Sequence, residues 1–243
     1  YFTDWVMAAL PVYLDQTAGD LLVQTTFDPK AQAQAEAALT NAIEKWGQAR
    51  DMTQGAIVVM GDDGAVKAMM GGRSYRGSEY NRATTALRQP GSAFKLFVYL
   101  TAFEQGRKPS QTMRDTPIVL DGWQPKNYDG KHAGTLTLRE AFATSNNIIA
   151  VKLAEQSNRA EVIRTAQRLG LTTPIVEQPS MALGASEVHL MDLTAAYAVV
   201  ANGGEQVQPF GIRSVTTRDG AVVYRHRETP FLILEKRPLK QIQ

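Results

Sequence analysis

Ser92 and Lys95 lie three residues apart in Arg88-Gln89-Pro90-Gly91-Ser92-Ala93-Phe94-Lys95, and together they could carry nucleophilic catalysis. A serine hydroxyl is a weak nucleophile until a neighbouring group takes its proton. A lysine partly buried on an apolar helix has a lowered pKa and can be that base. The reaction would then pass through an acyl group held on the serine oxygen.

Two elements must position this pair. Pro90-Gly91 has turn chemistry, and Ser92 can begin a helix. Phe94, Phe97, Val98 and Phe103 suit a buried helix, which Gly106 can end. Ser92 would then sit at the positive end of the helix macrodipole, on the same face as Lys95. Taken alone the pattern is weak, because an N-capping serine beside a solvated lysine gives the same letters. A second cluster, Thr144-Ser145-Asn146-Asn147, interrupts an apolar helical stretch that resumes at Ile148. Short polar residues there compete for backbone hydrogen bonds, which suggests a site, although a helix–turn–helix corner explains it too.

Composition narrows the chemistry. The chain has 243 residues, enough for one large domain or two small ones, and a net charge of +2. There is no basic stripe with interleaved aromatics, so a dedicated nucleic-acid binder is not expected. Cysteine is absent, which excludes a thiol nucleophile, a disulfide framework and a thiolate metal site. His132, His189 and His226 are scattered without ligand spacing, so neither a metal nor a cofactor is expected. No stretch is long and apolar enough to span a bilayer, and there is no signal peptide. The chain begins at Tyr1, so it reads as a piece of a longer protein whose anchor lies elsewhere.

Residues 1–19 hold Phe2, Trp5, Val6, Leu10, Val12, Tyr13 and Leu14 and read as an irregular connector packing on something. Residues 20–27 are strand-like. Asp28-Pro29 is an N-cap followed by proline, opening a helix to about Trp46 with Ala31, Ala35, Leu39, Ile43 and Trp46 on one face. Residues 55–61 and 65–72 form a hairpin about Asp62-Asp63-Gly64. Residues 107–135 lack periodicity and carry Trp123, Pro125, Asn127 and Tyr128, reading as a functional or a packed surface loop. Thr137-x-x-Glu140 is a capping box for a short helix. Further helices are expected at 159–169 and at 189–202, the latter with Leu190, Leu193, Tyr197 and Val200 inward. A second hairpin surrounds Arg218-Asp219-Gly220.

Ser145-x-Asn147 fits S-x-N, and it follows the S-x-x-K of Ser92 and Lys95 in the order found in penicillin-interacting serine enzymes. The text around both is more specific. Asn81-Arg82-Ala83-Thr84, Leu87 to Lys95, Trp123-x-Pro125-x-Asn127-Tyr128, Leu136 to Ala141 and Leu183-Gly184-Ala185-Ser186-Glu187 resemble the transpeptidase domain of class A (bifunctional) penicillin-binding proteins. Phe2-Thr3-Asp4-Trp5-Val6 resembles the segment between that family's glycosyltransferase and transpeptidase domains. The resemblance covers nearly the whole chain.

The resemblance implies an α/β (α+β) fold of the penicillin-binding protein and serine β-lactamase type, an antiparallel sheet flanked by helices. Residues 1–50 would be an interdomain linker segment and 51–243 a partial transpeptidase domain. It implies that Ser92 attacks the D-Ala-D-Ala carbonyl of a peptidoglycan stem peptide, and that an amine from a second stem peptide resolves the acyl-enzyme. Lys95 would accept the proton, Ser145 would relay one towards the leaving nitrogen, and Asn147 would bind the substrate amide and hold Lys95. Trp123 and Asn127 would line the same cleft as substrate-binding residues. The implied ligands are stem peptides and β-lactams, with other cell-wall synthesis proteins as partners. The implied location is the periplasmic, extracytoplasmic face of the inner membrane, with membrane contact only through segments absent from this chain.

One departure stands out. The family's third motif, K-T-G, does not occur in these 243 residues. The last strands of the sheet are therefore expected to be missing, with one oxyanion donor and a carboxylate anchor. The chain alone is expected to acylate very slowly or not at all. Competing readings are a hydrolytic β-lactamase, for which no deacylating glutamate is evident, a non-catalytic penicillin sensor of the same fold, and a structural remnant.

Overall fold

The computed structural model describes residues 1–13, 19–227 and 229–243. Leu14 and residues 15–18 of the 1–50 segment lie outside them. The opening is a helix, α1 (Phe2–Ala9), rather than an irregular connector. Phe2, Val6 and Leu10 recur every fourth residue and are buried in one cluster with Val66, Met69, Ile212 and Val215. Trp5, Met7 and Ala8 between them hide that period in the sequence.

Strand β1 (Leu21–Thr25) precedes α2 (Pro29–Trp46). Asp28 Oδ1 accepts the N–H groups of Lys30 and Ala31, at 2.9 and 3.1 Å, and Pro29 takes a position whose N–H no helix needs. Ala35, Leu39 and Ile43 pack on Ala68 and Met70. Trp46 departs from the expected face. The buried row continues to Gly47, and Trp46 stays 46% exposed beneath the Lys45 and Arg50 cations. Strands β2 (Ile57–Met60) and β3 (Val66–Met70) pair antiparallel from Ile57↔Met70, with a bulge after Val59.

The chain forms two compact units. One holds residues 1–87, 189–198 and 207–231, and the other 88–188, 199–206 and 232–243. Two boundaries fall inside the two-residue strands β4 (Leu87–Arg88) and β7 (Val188–His189).

In the second unit a 3₁₀ turn, Gly91–Phe94, runs into α3 (Lys95–Glu104). The stretch read as aperiodic contains an antiparallel pair, β5 (Thr112–Asp115) and β6 (Gly134–Thr137), which closes the loop between them. The Thr137–Glu140 capping box is formed and opens α4 (Leu138–Ala143). Then come α5 (Asn147–Ser157) and α6 (Arg159–Arg168). Residues Lys95 to Phe103 are buried throughout, and α3 packs against α5 and α6. Such a helix, apolar on every side, forms the centre of a core.

The chain returns through α7 (Leu190–Ala201). Its buried residues include Met191, Ala195, Ala196 and Val199, whereas Tyr197 is 42% exposed, so the expected inward face is out of phase. Strands β8 (Ile212–Thr217) and β9 (Val222–Arg225) form the expected second hairpin and complete a sheet of order β1-β8-β9, antiparallel throughout. The last helix, α8 (Lys236–Ile242), packs on α3. The architecture is α/β, with antiparallel sheets and helices packed on them.

Candidate active site

Ser92 lies in the 3₁₀ turn and is exposed. Its hydroxyl caps neither that turn nor α3. Lys95 follows directly, its N–H donating to the Ser92 carbonyl. The turn starts at Gly91, whose φ of +56° favours glycine. Gly184 (φ +72°) lies against it, and the Gly91 N–H donates to the Gly184 carbonyl at 3.4 Å. A Cβ built on Gly184 would sit 2.2 Å from the Gly91 oxygen and 2.5 Å from its nitrogen, so only glycine fits.

The second cluster is a corner between α4 and α5. Ser145 N–H donates to Phe142 C=O at 3.0 Å and Asn146 N–H to Ala141 C=O at 2.8 Å. These are the two bonds of a Schellman helix end, whose left-handed position is normally glycine. Here Ser145 takes it, at φ +55°. A side chain in that conformation costs about 1–2 kcal/mol. Asn146 then caps α5, its Oδ1 accepting Ile149 N–H at 2.9 Å.

These elements converge on one amine. Lys95 is 1% exposed, and its Nζ donates to Ser145 O (2.6 Å), Ser145 Oγ (2.9 Å) and Asn147 Oδ1 (2.6 Å). Desolvation by burial lowers its pKa from 10.5 to about 8. The three partners suit both protonation states. An ammonium donates to all three. A neutral amine keeps its two donors for the carbonyl oxygens and can receive the Ser145 O–H, the one partner able to reverse direction. The Asn147 orientation is fixed because its Nδ2 donates to Lys126 O at 2.9 Å.

Behind this lies a buried carboxylate. Asp115 Oδ2 accepts Ala133 N–H (2.7 Å), Asn127 Nδ2 (2.8 Å) and Asn146 Nδ2 (2.9 Å), while Oδ1 meets His132 Nδ1 at 3.2 Å. Burial works to raise its pKa, but the Ala133 N–H, Asn146, His132 and Asn127 together hold it below the usual carboxylate value. Asn127 Oδ1 accepts the N–H of Asn147 at 3.0 Å.

The structure thus joins Lys95, Ser145 and Asn147 directly and sets Ser92 on the turn leading into Lys95. Asn127 is tied to the chain on both ends of its amide, to Asp115 and Lys131 O on one side and Asn147 on the other. Trp123 lies outside this hydrogen-bonded network, exchanging backbone bonds with Leu120 at 2.8 and 2.9 Å. Sequence reasoning missed Asp115 and the capping role of Asn146. Asp115 is a lone carboxylate between Arg114 and Thr116, and its partners come from the loop that the β5–β6 pair closes and from the α4–α5 corner. Among the described residues no group of three or more His, Cys, Asp or Glu converges that could hold a metal ion.

The model of the penicillin binding protein transpeptidase domain matches residues 55–238. Penicillin-binding protein 1A of Rickettsia typhi is 41% identical over 178 residues, covering 70% of this chain and 23% of that protein. Penicillin-binding protein 2D of Bacillus subtilis is 32% identical over 249 residues, covering 98% of this chain and 36% of that protein. The chain therefore spans roughly a quarter to a third of the length of these relatives. Among solved structures, the PonA1 protein from Mycobacterium tuberculosis in complex with penicillin V matches with a TM-score of 0.84 and 25% identity, over 99% of this chain and 68% of that chain.

Proposed function

Because the chain belongs to the penicillin-binding protein transpeptidase family, we propose that it is the acyl-transfer domain of a peptidoglycan D,D-transpeptidase with Ser92 as its nucleophile. The observation that carries this reading is the buried Lys95 amine, bound by Ser145 and Asn147 one turn from an exposed, non-capping serine. Neutral Lys95 takes the Ser92 hydroxyl proton as the oxygen attacks the carbonyl of the penultimate D-Ala. The Ser92 N–H is a natural donor to the developing oxyanion. The C–N bond breaks, the leaving D-Ala nitrogen takes a proton by way of Ser145, and an ester remains on Ser92. The amine of a second stem peptide attacks that ester, loses a proton to Lys95 and frees the Ser92 oxygen, which regains its own. A β-lactam enters the same first step, but its nitrogen stays tethered after the ring opens.

In this reading residues 1–50 join the domain, residues 51–243, to a glycosyltransferase domain of the parent protein, which works on the extracytoplasmic face of the membrane. No described helix is long and apolar enough to cross a membrane, so an anchor would lie in other segments. Fluorescent penicillin added to the intact protein should modify Ser92, as located by mass spectrometry, and Ser92→Ala should remove the label. A label on another residue would overturn the assignment. Labelling without any turnover of stem peptides would identify a penicillin sensor instead.

Acylation should also follow the charge on Lys95. Below about pH 8 the amine is protonated and cannot accept a proton, and above it the neutral form dominates. The single-turnover acylation rate should therefore climb with pH and level off above about 8. A profile flat across that range would remove Lys95 as the base.

A further inference from the structure

We propose that Asp115 is a positioning residue for the reaction, setting the Lys95 amine through Asn127 and Asn147; this rests on the function proposed above. An ionised carboxylate only accepts hydrogen bonds. Asp115 has no side-chain exposure, so it cannot exchange its partners for water. Two asparagine amides must therefore turn their NH₂ groups towards it, Asn127 at 2.8 Å and Asn146 at 2.9 Å. Their oxygens are then forced to face away, towards the first turn of α5.

There the oxygens meet N–H groups that a helix start leaves unpaired. Asn127 Oδ1 receives those of Asn147 (3.0 Å) and Ile148 (3.4 Å), and Asn146 Oδ1 receives that of Ile149 (2.9 Å). Were either amide reversed, an NH₂ would confront an N–H. The buried charge thus fixes the start of α5 in register and orientation. Asn147 is the first residue of that helix, and its side chain carries the constraint onward to Lys95 Nζ at 2.6 Å. The loop between β5 and β6 is bound into the same frame through Ala133 N–H and His132 on Asp115 and Lys126 O on Asn147. Asp115 touches no reacting atom.

The test measures single-turnover acylation by penicillin in the intact protein, resolved into the dissociation constant and the first-order rate constant at saturation. That rate constant does not depend on the fraction of protein folded. Asp115→Asn keeps the shape and removes the charge. It should lower the rate constant about tenfold with the dissociation constant unchanged, and add little in an Asn147→Ala background because the two act along one path. Asn127→Ala, which leaves the carboxylate its other partners, should act in the same direction and decides the matter if Asp115→Asn does not fold. A wild-type rate constant in the folded variants would overturn the proposal, as would effects of Asp115→Asn and Asn147→Ala that simply multiply. Loss of the Ser92 label would instead mark failure of the functional reading, so the two failures are separable.

Discussion

Lys95→Met should slow acylation of Ser92 about 10²–10⁴-fold, the range typical of a lost general base, while leaving the protein close to its original stability. Methionine has nearly the shape of the lysine stem but no amine, so the packing around residue 95 survives and the proposed proton acceptor does not. The stability half follows from the sign of the pKa shift. Lys95 titrates at about 8 rather than 10.5, so between these values the unfolded chain holds more protons than the folded one. Stability should therefore rise with pH across that window, and at neutral pH the folded state carries an order-of-magnitude penalty of about 3 kcal/mol for the desolvated charge. Methionine relieves it. Against this stand the hydrogen bonds no longer made to Asn147 Oδ1 and to Ser145 O and Oγ, about 1–3 kcal/mol for each group left without water; Ser145 is exposed and can take water in place of the amine. Thermal denaturation read beside the acylation rate checks both halves. An active Lys95→Met protein would dismiss the base assignment. An inactive one that melts far below wild type would show that the amine is a structural requirement first.

Gly184→Ala should be nearly as damaging, from a residue outside the hydrogen-bonded cluster. The new Cβ meets the Gly91 backbone at 2.2 Å, and no side-chain rotation relieves a backbone clash. The turn that presents Ser92 must shift, and a displacement near 1 Å at a reacting group costs roughly 100-fold in rate. Gly106→Ala is the control. It imposes a comparable positive φ (+90°) with nothing within 4 Å of the added methyl group. If Gly106→Ala and Gly184→Ala lose equal stability and acylation, strain alone accounts for the effect and the approach to the Ser92 turn is irrelevant. A slow Gly184→Ala beside a normal Gly106→Ala assigns the loss to displacement.

The two cases differ in how far each is written in the sequence. Lys95 can be picked out because its motif is local, and Asp28, the Asp62–Gly64 turn and the Thr137–Glu140 box are legible for the same reason. The last three are each a few adjacent residues satisfying one another's hydrogen bonds. Where the signal is periodic it depends on contrast, and contrast fails in two helices. In α7 almost every residue is apolar, so the phase placing Tyr197 inward is arbitrary. In α1 the row of Phe2, Val6 and Leu10 is crowded by other apolar side chains. The strands Thr112–Asp115 and Gly134–Thr137 escape notice because each is short and finds its partner across a long loop. The site divides along the same line. Ser92, Lys95, Ser145 and Asn147 can be named from residue type and order, whereas the network behind them needs segments near residues 115, 127, 133 and 146 to meet.

The left-handed serine at the α4–α5 corner sets backbone strain against a partner for the Lys95 amine. Glycine at 145 would release the backbone strain and settle the helix end. It would also delete the hydroxyl on Lys95, the only reversible partner the amine has among its three. Stability alone therefore draws position 145 towards glycine, and the Lys95 amine draws it towards serine. In a library selected for stability alone, glycine should therefore collect at residue 145.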